Sequence, residues 1–203
     1  MHKFDKLYMK ILTLYLLLLI SSLSTGQTIK KLPTNNRTSD STEIINLLKQ
    51  VYKWHDNNQN KLIDFDVIVK DSFQTALNYL SFNKTFEAIK KTNFFSTSFI
   101  NNYKKIADRI NFKLTTAHPK YPNEINFAYQ DADPWTYFQD DADKYWETFK
   151  ISNFVLSTDK ASLKWNVKIK SWTSEKYAVK FEKENGFWKL SYLEGFDIDK
   201  YYK

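Results

Sequence analysis

Apolar positions along the chain follow two periods, and the change between them falls near residue 145. Ile44, Leu47, Leu48 and Val51 recur at helical spacing, with Tyr52 and Trp54 beside them. Asp40, with Glu43 three residues on, reads as a cap for that run. The pattern predicts a helix over 41–57 that ends in the polar run Asp56-Asn57-Asn58-Gln59-Asn60. Phe73, Ala76, Leu77 and Leu80 predict a short amphipathic helix, and Phe86 with Ile89 another. Ser96 reads as the N-cap of a helix carrying Phe99, Ile100, Tyr103, Ile106, Ala107 and Ile110. Residues 111–143 contain Pro119, Pro122 and Pro134 and read as loop, with Ile125, Phe127 and Tyr129 as one short strand inside it.

Beyond 145 the period is two. Residues 146–156 predict a longer strand, turning through Ser157-Thr158-Asp159-Lys160. Leu163, Trp165, Val167 and Ile169 alternate with Lys164, Asn166, Lys168 and Lys170. Tyr177, Val179 and Phe181 repeat the alternation, and so do Trp188, Leu190 and Tyr192 after the turn Glu184-Asn185-Gly186. The expected fold is α+β: N-terminal helices packed on a curved four-stranded antiparallel meander with one apolar and one lysine-rich face. A sheet wrapped on helices in this way makes a cone whose open mouth can hold a ligand.

The first residues change the picture of where this domain works. Lys3, Lys6 and Lys10 precede an uncharged apolar stretch from Ile11 to Ile20, and Ser24 and Gly26 stand at −3 and −1 of a small-residue cleavage site. The competing reading is a retained anchor, but a membrane span takes roughly 20 apolar residues and this core is about half that length. The expected organisation is a signal peptide over 1–26, a flexible polar leader over 27–41 and one domain over 42–203. The sequence has no cysteine, which excludes a lipoprotein anchor, disulfides and thiol chemistry. The expected destination is periplasmic or secreted. The net charge of +7 falls when the signal leaves with three lysines and one aspartate, and the remainder is mildly basic.

Three segments carry a resemblance to a known family. They are Val51-Tyr52-Lys53-Trp54-His55, Asp133-Pro134-Trp135-Thr136-Tyr137-Phe138-Gln139-Asp140, and the closing hairpin from Val179 to Leu190. Over roughly 43–197 the chain resembles the secreted bacterial family known as domain of unknown function 3828, with a cystatin-like, nuclear-transport-factor-like cone. The resemblance implies export and a small cone; it implies no particular activity.

The chemistry is bounded chiefly by what is missing. Glycine occurs three times, at Gly26, Gly186 and Gly195, so no phosphate-cradling loop, dinucleotide fingerprint or nucleophile elbow can be built. His55 and His118 are the histidines beyond the signal, too few and too far apart for a zinc motif. His55 closes the first helix, where a partly protonated imidazole suits a helix C-terminus. Asp131, Asp133, Asp140, Asp141 and Asp143 cluster without EF-hand spacing, and read as turn and helix caps ahead of calcium ligands. No cofactor and no metal is expected. Trp165 and Trp188 read as core. The lysine face (Lys164, Lys168, Lys170, Lys180, Lys189) reads as a solvated sheet face and not as a nucleic-acid surface.

The function expected from these readings is an exported, non-catalytic domain that binds a small ligand, an envelope component or a protein partner at the cone mouth. Tyr52, Trp54, Trp135, Gln139 and Asp140 are the candidate ligand-binding residues, with Asp133 and Tyr137 as a polar pocket. Two alternatives stay open. One is a small cone enzyme with Asp133 or Asp140 as general base, Tyr52, Tyr137 and Tyr192 supplying polar groups. The other is a periplasmic inhibitor or immunity-type protein acting through the open sheet face. A homodimer is compatible with each of them.

Overall fold

The stripe of Ile44, Leu48, Val51 and Tyr52 is fully buried and lies along one side of α1 (Thr34–Asp56). In a computed structural model, the described residues are 34–120, 133–138, 144–169, 172–197 and 199. The helix therefore begins earlier than the cap pattern indicates, and residues 34–41 belong to it instead of to a leader. Asp40 sits inside the helix and caps nothing. Its carboxylate accepts from Trp188 Nε1 at 3.0 Å and Lys183 Nζ at 3.0 Å, a tertiary use that local spacing cannot distinguish from a cap. At the other end, Asn58 Nδ2 donates to the Trp54 carbonyl at 2.7 Å and satisfies one of the helix's last acceptors.

Two strands follow where a helix was expected. β1 (Val67–Lys70) and β2 (Phe73–Leu77) form an antiparallel hairpin. Asp71 and Ser72 both take positive φ, 51° and 66°, as a two-residue type I′ turn requires. In β2 the residues turned inward are Gln74 and Leu77, while Phe73 is half exposed and Leu80 is 85% exposed. The apolar spacing 73, 76, 77, 80 was compatible with a helix, and pairing with β1 decided otherwise.

α2 (Tyr79–Lys91) is capped by Asn78, which accepts from the Ser81 amide, and buries Phe82, Thr85 and Ile89. α3 (Thr97–Ala117) begins at the expected cap, with Ser96 Oγ accepting from the Phe99 amide at 3.3 Å. It runs seven residues past Ile110, because Leu114 continues the buried stripe, and it ends at His118 in the left-handed region. Residues 111–117 are thus helix and not loop. The strand expected at 125–129 lies outside the described residues.

The sheet is a four-stranded antiparallel meander in the order β3 (Lys150–Leu156), β4 (Lys160–Asn166), β7 (Tyr177–Glu184), β8 (Phe187–Leu193). Between β4 and β7 the short strands β5 (Lys168–Ile169) and β6 (Trp172–Thr173) pair with each other, so the alternation through Ile169 is broken after Val167. Residues 145–147 form a 3₁₀ turn, and the first strand starts later than expected. Asn185 and Gly186 form the β7–β8 turn with φ of 53° and 84°. A bulge in β8 opposite Lys180 and Phe181 pushes Tyr192 out of phase. Tyr192 then lies on the outer face, its ring 4.5 Å from Lys180 Nζ, and Leu193 takes the buried place. The inner face, Leu163, Trp165, Tyr177, Val179, Phe181, Trp188 and Leu190, packs with α1 and α3 in one core. The chain is α+β. No helix among the described residues is long and apolar enough to cross a membrane.

Candidate functional site

The segment 133–138 is held in place from three sides. Asp133 caps its own turn, accepting from the Trp135 amide at 2.9 Å and from Thr136 Oγ1 at 3.2 Å. Tyr177 Oη donates to the Pro134 carbonyl at 2.7 Å and accepts from the Gly195 amide at 2.8 Å. Gly195 sits so close that an added Cβ would lie 1.7 Å from the Pro134 oxygen. This clamp drives Trp135 into the core between α1, α3 and the 3₁₀ turn Glu194–Phe196. There its ring meets His55 at 4.6 Å, Trp54 at 5.9 Å and Phe196 at 5.0 Å.

An acid that the sequence pattern did not single out lies beneath that ring. Asp64 accepts from Trp135 Nε1 at 2.9 Å and from Tyr103 Oη at 2.5 Å, so each carboxylate oxygen has a donor. Enclosure among these rings raises its pKa, and the two hydrogen bonds and the nearby His55 only partly oppose that. His55 is buried beside it, and burial lowers its pKa to about 4 despite the Asp64 charge. The imidazole is therefore neutral at neutral pH, and its Nε2, 3.9 Å from Asp133 Oδ2, makes no ion pair there. Its Nδ1 is buried and has no hydrogen-bond partner among the described residues. The space shared by His55, Asn58, Gln59, Asp64 and Thr85 beside Trp54 and Trp135 has a free volume of about 10 Å³. That is room for about one water molecule.

Of the residues expected to bind ligand, Trp54 and Trp135 do meet. Tyr52 and Trp135 are core: Tyr52 is fully buried and accepts from Trp165 Nε1 at 2.9 Å. Tyr137 takes a positive φ of 62° and lays its ring against Tyr177 at 4.7 Å. Tyr192 is remote on the outer sheet face, bonded to Asp197. Gln139 and Asp140 lie outside the described residues. Asp133 acts as the expected turn cap.

A larger concavity lies elsewhere among the described residues. A groove of about 810 Å³ runs between α1 and the β8 end of the closing hairpin, lined on the helix side by Thr38, Ser39, Thr42, Glu43, Asn46, Leu47 and Gln50 and on the other by Asn93 and Phe187–Lys189. Its floor is fastened by the Asp40–Trp188–Lys183 cluster. Burial works to raise the Asp40 pKa, but the bonds from Trp188 and Lys183 outweigh it and hold the carboxyl below its ordinary value. The helix side could have been found in the sequence, because 38, 42, 46 and 50 are four apart and polar. The hairpin side could not.

Among the described residues no group of three or more His, Asp or Glu is placed to hold a metal ion. No protein-family model, curated protein or solved structure matches the chain.

Proposed function

We propose that the chain is an exported, non-catalytic binding domain whose ligand lies in the groove between α1 and the β7–β8 hairpin. One observation carries this reading: the groove has a volume of about 810 Å³, while the space at Asp64 is about 10 Å³. The first is in the range of ligand sites. The second admits no substrate, and a general base must come within hydrogen-bond reach of the proton it takes. Export is supported by the basic, apolar and small-residue succession over 1–26. The likeness to the domain of unknown function 3828 family and to its cone belongs to the same proposal. It rests on the three segments quoted above and on a meander packed against helices.

The second reading, a small enzyme using a pocket carboxylate, keeps Asp133 and Asp140 and adds Asp64, which would need the space beside His55 to open before a substrate could reach it. Its support is the raised pKa of Asp64 beside His55 Nδ1, which is unpartnered among the described residues.

Because the chain has no cysteine, a single Ser39→Cys variant can be labelled at the groove with an environment-sensitive fluorophore, and Lys164→Cys on the outer sheet face serves as control. Titration with purified envelope polymers and lipids should change emission from the groove label alone. Equal responses from both labels, or none, would sink the groove reading. Ligand turnover that disappears in Asp64→Asn would favour the enzyme.

A further inference from the structure

We infer that the groove takes an uncharged glycan; the inference rests on the groove being the binding site. The warrant is the inventory of groups that face it. Asn46, Gln50 and Asn93 are exposed, and none of their side-chain amides makes a hydrogen bond among the described residues. Each amide offers two donors and an acceptor, which suits the mixed donor and acceptor hydroxyls of a sugar. Asn46 and Gln50 follow Thr42 at four-residue steps, and the row from Thr38 to Gln50 spans roughly 18 Å along the helix. Phe187, 66% exposed at the hairpin tip, supplies a flat apolar face on the opposite wall, of the kind that packs against the C–H face of a sugar ring.

The charges lining the groove, Lys189 and Glu43, balance and give a polyanion no net attraction. Of the nearby lysines, Lys183 is paired with Asp40 at 3.0 Å, while Lys189, which lines the groove, donates Nζ to the neutral Asn93 carbonyl and keeps its charge. Glu43 is exposed within the groove and has no ion-pair partner among the described residues. A carboxylate can accept from two neighbouring hydroxyls, and it repels phosphate, sulfate or uronate.

Two common peptide modes also fit poorly. Strand addition needs an open edge, and the outer edge of β8 is engaged at Leu190, whose amide donates to the Phe94 carbonyl at 2.9 Å and whose carbonyl accepts from the Ser96 amide at 3.0 Å. Trp188, the next outward position, is 3% exposed. Helix-in-groove docking needs a row of apolar anchors, whereas the accessible apolar groups here are Leu47 and Phe187.

The test is titration calorimetry of the purified protein with dextran, mannan and chitin oligosaccharides, with heparin and short synthetic peptides as comparison arms. At least one neutral glycan should bind. Phe187→Ala and Asn46→Ala should each weaken it about tenfold, the scale of one lost stacking or hydrogen-bond contact. Thr42→Trp, which fills the groove from an exposed helix position, should abolish it with the melting temperature unchanged. Binding of heparin or peptide instead, lost in Thr42→Trp, overturns the glycan inference and leaves the groove reading standing. Binding that Thr42→Trp does not affect, or no binding by any probe, overturns both.

Discussion

Asp64 and His55 face each other's costs inside one aromatic enclosure. Trp135 Nε1 and Tyr103 Oη both point at the Asp64 carboxylate, so truncation leaves two buried donors without an acceptor. Asp64→Ala should lose about 2–4 kcal/mol of stability by urea denaturation at neutral pH. Asp64→Asn should stay within about 1 kcal/mol of the parent, since its amide can accept from the indole and donate to the rotatable Tyr103 hydroxyl. Equal losses in the two variants would mean that shape, and not hydrogen bonding, holds this centre.

His55 gives a pH dependence with a definite sign. Its folded pKa of about 4 lies below the ordinary 6.5. Between those values the unfolded chain binds the proton that the folded chain refuses, so stability falls as pH drops from 6.5 and levels off below 4. The contribution of this one group is about 3 kcal/mol across the window. Asp64 works the other way: with a raised pKa, its burial cost grows as pH rises through its titration. His55→Phe should remove the His55 part of the slope, measured as unfolding free energy against pH; an unchanged slope would assign it to the carboxyls.

Single contacts decide how two elements sit. Gly195 is required by proximity and not by backbone angle, since a Cβ there would strike the Pro134 carbonyl. Gly195→Ala should cost about 2–4 kcal/mol and free the 133–138 turn, seen as faster amide exchange at Tyr137 and Phe138. Amides that stay protected would show that the clamp is held by Tyr177 alone. At α3, Ser96 accepts from the Phe99 amide and Glu184 of β7 accepts from the Thr97 amide at 2.7 Å. Ser96→Ala should lower the melting temperature through a loss of about 1 kcal/mol.

α1 and the closing hairpin form a unit at the scale of the whole molecule, because Asp40 joins them through Trp188 and Lys183. That cluster builds the groove. Asp40→Ala should therefore do more than destabilise by the few kcal/mol expected when a partly buried lysine and an indole N–H lose their acceptor. It should also raise amide exchange in residues 38–44, next to the lost contact, well above that in 48–55, which Leu48, Val51 and Tyr52 hold in the core. Uniform exchange along α1 would show that the groove wall does not depend on Asp40.

Much of this architecture was legible in the chain because it depends on local period and turn chemistry. The Phe99–Ile110 stripe behind Ser96, the Asn185-Gly186 turn and the alternation through Trp165, Val179 and Leu190 each report a neighbour within a few residues. The misread places are those where a distant partner outvoted the local pattern. Asp40 looks like a cap and serves a strand 143 residues away. Phe73–Leu77 has helical spacing and pairs with β1, and a bulge turned Tyr192 outward. Of the candidate aromatics, Tyr52 and Trp135 are buried, Trp135 against Asp64, while Trp54 stays partly exposed. By itself the sequence determined the α+β class, the meander and the exclusion of glycine-loop and cysteine chemistry, all matters of residue type and short-range period. Only the tertiary structure decided that Asp64 lies under Trp135 and that a polar helix stripe faces an exposed phenylalanine across a groove. Those are juxtapositions of segments far apart in the chain, and no spacing along the chain encodes them.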